Sequence, residues 1–103
     1  MGKLSLSAAP TFKAPVPIPV PGGDPVPVEF TFKHRTRDAA LAWLEASRDA
    51  KDVDAVLDLA AGWELDDAFN AENIERLLQN YAGAGVAIVN AYLEELRGAR
   101  SKN

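Results

Sequence analysis

Proline alternating with apolar residues constrains this chain more than any other feature. The runs are Pro15-Val16-Pro17-Ile18-Pro19-Val20-Pro21 and Pro25-Val26-Pro27-Val28. All seven prolines lie between Pro10 and Pro27. A proline has no N–H and a fixed φ, so it cannot sit in a helix interior or donate to a sheet ladder. A polyproline ligand is the first alternative. No two of these prolines stand three apart, so the PxxP register of such ligands is missing.

A β-hairpin accommodates the alternation. Residues i and i+2 of a strand point their backbone groups to one edge and their side chains to one face. The odd-numbered prolines then share an edge that lacks donors, and Val16, Ile18 and Val20 keep their N–H groups for the opposite edge. Pro21-Gly22-Gly23-Asp24-Pro25 is a turn signal. A two-residue Gly22-Gly23 loop would set Val20 against Pro25 and lose hydrogen bonds. A five-residue loop over 21–25 pairs Val20 with Val26, Ile18 with Val28 and Val16 with Phe30. That register turns every proline outward and gathers Val16, Ile18, Val20, Val26, Val28, Phe30 and Phe32 on one face. Glu29, Thr31 and Lys33 fall on the other face, and their side of the second strand is free for a third, for which Lys3 to Ser7 is the candidate.

Beyond residue 35 the period changes to that of helices. Thr36 caps a helix from about Arg37 to Arg48, with Ala40, Trp43, Leu44 and Ser47 on one stripe. Asp49 caps a second from about Ala50 to Ala61, with Gly62 at its C′ position. Asn70 caps a third over Ala71 to Asn80, and a fourth runs from about Ala84 to Arg97 and stops at Gly98. Each stripe needs a surface to pack on. The expectation is an α+β fold: an N-terminal Pro-rich β-hairpin or small antiparallel sheet followed by about four α-helices. We read one domain over 1–103, with a β-rich region at 1–35, a helical region at 36–99 and a tail at 100–103.

The chain of 103 residues has no cysteine and one histidine. That excludes disulfides, thiolate chemistry and cysteine-ligated zinc, and leaves no His-rich metal site. Residues 1–37 carry five basic and two acidic groups, +3; residues 38–103 carry six basic and thirteen acidic, −7. An acidic body of this kind argues against general nucleic-acid binding. The longest apolar stretch, Tyr81 to Val89, is far too short to span a membrane. The expectation is a cytoplasmic protein with no catalytic residues, no metal and no cofactor, binding neither nucleic acid nor membrane.

The residues that stand out suit binding. Lys33-His34-Arg35-Thr36-Arg37 is either a phosphate or RNA contact or a solvated junction. Glu64, Asp66 and Asp67 lack the spacing of a calcium loop and read as a solvated acidic loop. Trp63, Leu65 and Phe69, set in that loop, either plug the core or present an anchor to a partner. Asp52, Asp54 and Asp58 lie away from the second helix's apolar stripe and form either a merely solvated face or an acidic face for a basic partner, with Asp54 and Asp58 the candidate contacts. Gly83-Ala84-Gly85 lacks the third glycine, the preceding strand and the lysine of phosphate-binding loops, and reads as a helix break.

Longer stretches carry a resemblance. Residues 12–23, FKAPVPIPVPGG, 28–36, VEFTFKHRT, Gly62-Trp63-Glu64-Leu65, Phe69-Asn70-Ala71-Glu72-Asn73, Leu77-Leu78-Gln79-Asn80-Tyr81 and 91–96, AYLEEL, resemble phage tail assembly chaperones over nearly the whole chain. The resemblance implies a protein made in the bacterial host cytoplasm by a long-tailed phage or prophage. Its partners would be the tape measure protein, which it coats and keeps soluble, and tail tube subunits, which it helps to polymerise; it would be absent from the finished virion. The resemblance also implies a second product by −1 frameshifting, and the residues Ser101-Lys102-Asn103 are compatible with the slippery A-rich codon pair this would need. Homo-oligomerisation through a strand edge or a helix stripe is expected. Two other readings of the residues stand beside it: a small acidic regulatory or interaction module, and an RNA binder using Lys33–Arg37.

Overall fold

The computed structural model describes residues 4–98. Lys3, the terminal Ser101-Lys102-Asn103 and the rest of the 100–103 tail lie outside them. The elements run β1 (Thr11–Ile18), β2 (Val26–Lys33), α1 (Arg37–Ala46), α2 (Asp52–Leu59), β3 (Ala60–Trp63), α3 (Ala71–Asn80) and α4 (Ala84–Arg97). The fold is α+β: a three-stranded antiparallel sheet in the order β1-β2-β3, with four helices.

The register of β1 on β2 differs from the expected one by two residues. Ile18 faces Val26, Val16 faces Val28 and Ala14 faces Phe30, so the connection covers residues 19–25. A slip of two leaves every side chain on its face and every proline at the same kind of ladder position. His34 N–H donates to Pro10 O at 2.9 Å, which puts the even-numbered pairs in hydrogen-bonded positions. Pro15, Pro17 and Pro27 occupy the alternate positions, where no ladder donor is required. Val16, Ile18, Val28, Phe30 and Phe32 are buried. Val26, expected with them, is 50% exposed at the end of the sheet.

The second helix stops earlier than its apolar pattern suggests. It ends at Leu59, and Ala60–Trp63 is a strand instead of a final helical turn. Gly62 therefore stands opposite Thr31 in the sheet and is no helix terminator. The N-cap of α2 is Lys51, with no side-chain hydrogen bond, so Asp49 does not cap it. The strand takes the edge of β2 assigned by sequence to Lys3–Ser7; Leu4–Ser7 form no strand. A bulge between Thr31 and Phe32 fits β3 to β2. Past the strand, Glu64 N–H donates to Glu29 O at 3.0 Å and Glu29 N–H donates to the Glu64 carboxylate at 2.7 Å. Pro27 has no N–H beyond that point. The edge of β2 is thus closed by β3, one carboxylate and one proline.

The other helix ends follow their caps. Thr36 Oγ1 accepts from Ala39 N–H and Asn70 Oδ1 from Asn73 N–H. Gly98 ends α4 at φ +72°, a left-handed conformation that favours glycine. The core lies between the sheet and helices α2, α3 and α4: Phe30, Phe32, Leu59, Ile74, Ile88 and Tyr92 are all fully buried. Gly83 precedes α4 where Pro19 of the 19–25 connection comes close; a Cβ there would sit 3.0 Å from the proline ring.

Candidate functional site: an apolar groove beside the sheet

Residues from four elements meet at the end of the sheet nearest the 19–25 connection. Ile18, Val20, Val26 and Val28 come from the paired strands and their loop. Trp63 and Leu65 come from β3 and the segment after it. Leu77 and Tyr81 belong to the last turn of α3 and its C-cap. Together with Asp67, Asn73, Arg76 and Asn80 they line an open groove of about 390 Å³.

Trp63 is the fixed wall of this groove. Its ring stands edge-on to Phe30 (5.9 Å) and to Phe69 (5.1 Å). Its indole N–H donates to Asp67 O at 2.8 Å, which folds the acidic loop back over the ring. Phe69 is half-buried against the core behind it. Leu65 is 36% exposed at the mouth. The apolar trio of the acidic loop is therefore divided: Trp63 and Phe69 pack inward, and Leu65 is presented. The loop is anchored to α3 as well, because Asn73 Nδ2 donates to Ala68 O at 2.7 Å. Arg76 donates to Asn73 Oδ1 at 3.2 Å at the rim.

Asp54 and Asp58 do not join this site. Both are exposed on α2. Asp54 lines a separate cleft between α2 and α3 with Asp52, Glu72 and Glu75. Three of these four acids lie in the first turn of their helix, where negative charge complements the helix dipole. Asp58 contributes its backbone carbonyl to the fold, accepting from Arg35 at 3.0 Å.

The basic cluster at residues 33–37 turns out to be partly structural. Lys33 Nζ donates to Leu57 O at 3.2 Å and Arg35 Nη2 to Asp58 O, so two cations serve the final carbonyls of α2. Arg35 Nη1 also donates to Tyr92 Oη at 3.0 Å, while Tyr92 O–H donates to Lys33 O at 2.8 Å. The guanidinium lies 5.3 Å from the Trp43 ring centre. Tyr92 is thus both a buried core ring and a polar link between the strand-to-helix junction and α4. No local signal marks Arg35, whose partners are 23 and 57 residues away.

Among the described residues no group of three or more His, Asp or Glu side chains is arranged to hold a metal ion. No helix among them is long and apolar enough to cross a membrane. Fold and groove define a small α+β domain with an open apolar cleft and an aromatic wall. The chain belongs to the phage tail assembly chaperone family, whose model matches residues 1–103, the whole chain. Neither the curated proteins nor the solved structures contain a match to it.

Proposed function

We propose that the protein binds the tape measure protein of a long-tailed phage or prophage, keeps it soluble, and assists tail tube subunits in polymerising around it. Family membership over the whole chain carries this reading. The groove supplies a physical means. A tape measure protein exposes apolar helical stripes before assembly, and an apolar side chain transferred from water into a cleft of this kind gains roughly 1.5–3 kcal/mol when fully buried. Each contact is weak enough to be displaced by tube subunits. Several copies on one long partner raise the total through multivalency, and self-association of the chaperone would add to it. The role needs no catalysis. It places the protein in the host bacterial cytoplasm during assembly and leaves it out of the mature virion.

Co-expression with the tape measure protein tests both parts of the reading. The wild-type chain is expected to move most of that protein into the soluble fraction. Leu65→Asp, at the groove mouth, is expected to abolish the effect while changing stability by less than about 0.5 kcal/mol. An insoluble tape measure protein beside wild-type chaperone overturns the function. Full solubilisation by Leu65→Asp, and also by Val26→Asp, removes the groove from it.

A further inference from the structure

Helix α1 is held differently from the other three. Each of α2, α3 and α4 contains at least one buried residue; α1 contains none. Leu41 is 62% exposed and Leu44 41%. The grip of α1 on the body is the Trp43 ring, set edge-on to Tyr92 at 5.8 Å and covered by the Arg35 guanidinium. Even this contact is imperfect. The indole Nε1 of Trp43 is shielded from solvent and has no hydrogen-bond acceptor, a penalty that opening relieves by admitting water. Beneath the helix a cleft of about 460 Å³ runs between Trp43, Leu44, Ala55 and Val89. The chain on either side, residues 34–36 and 47–51, forms neither helix nor strand.

What remains behind when α1 leaves is complete in itself. Arg35 keeps its bonds to Tyr92 Oη and Asp58 O. Tyr92 keeps Lys33 O and its contacts with Phe12 and Phe32. A helix of ten residues is marginal once detached, so departure and melting occur together.

We propose that α1 is a strap that lifts from the body as a unit, far more readily than the whole domain unfolds. Opening uncovers the Trp43 side chain and the Tyr92–Val89 face of α4. Hydrogen exchange on the full chain, read by mass spectrometry with and without low denaturant, tests this. The α1 amides are expected to open at least about tenfold more often than those of residues 88–93, with a weaker denaturant dependence because little surface is exposed. A smaller gap, or a shared denaturant slope, overturns the proposal. Trp43→Ala provides an independent check. It should bring α1 to near-unprotected exchange, while α4 loses no more protection than α1 possessed in the wild type. A larger loss at α4 would show that the strap is part of the global fold, and would refute its independence.

Discussion

The two sides of this domain use aromatic residues in opposite ways. On the side of β1, β2 and α4, Phe12, Phe30, Phe32 and Tyr92 form a continuous stack at 5.3–6.1 Å. Its one polar group, the Tyr92 hydroxyl, both donates and accepts. In α1 and in β3, by contrast, Trp43 and Trp63 meet that stack edge-on, at Tyr92 and Phe30, and have exposed apolar neighbours, Leu44 and Leu65. The closed side carries the fold. The open side carries apolar surface that a small domain can leave uncovered because the core elsewhere holds it together.

That contrast breaks most sharply at Phe32. Phe32→Ala removes a fully buried ring that touches Phe12, Phe30 and Tyr92, and a loss of about 3–5 kcal/mol is expected in chemical denaturation. A cost below about 1 kcal/mol would mean that the sheet side is not the core. Tyr92→Phe is a finer probe. It leaves the stack intact and strips Lys33 O and Arg35 of a partner, which predicts a loss of about 1–3 kcal/mol in the same assay. Asn70→Ala acts on the open side, where removing the cap of α3 should cost about 1 kcal/mol. Its effect should concentrate in faster amide exchange at the start of α3, with the sheet amides protected as before.

Much of the fold was legible because short-range rules acted alone. Asn70 and Gly98 mark the ends of α3 and α4 by capping chemistry that needs only neighbouring residues. Thr36 does the same at the start of α1. The alternation through residues 15–28 assigns each side chain to a face, and the buried set Val16, Ile18, Val28, Phe30 and Phe32 obeys it. Register is a different matter. Sliding β1 by two residues preserves both the faces and the proline positions, so no local argument separates Ile18–Val26 from Ile18–Val28.

The errors share a cause. Ala60 and Ala61 continue the helical pattern of α2, yet join Gly62 and Trp63 in a strand because the free edge of β2 offers a ladder, with Glu64 closing the end. Propensity over four residues is a weak preference that such pairing overrides. Of the candidate site residues, Leu65 and Trp63 were visible as bulky apolar groups in an acidic loop. Their neighbours in the groove, Ile18, Val26 and Tyr81, were not, since strands from residues 11–33 and a helix from residues 71–80 meet there only after folding.

By itself the sequence determined the capped ends of α1, α3 and α4, the strand faces, the absence of thiol chemistry and the family, all of which depend on residue identity and short spacing. The strand register, the third strand, the groove and the clasp of Arg35 on Tyr92 and Asp58 were decided by tertiary structure alone. Each joins groups far apart in the chain, and contacts of that kind are selected by the whole packing arrangement and by no local pattern.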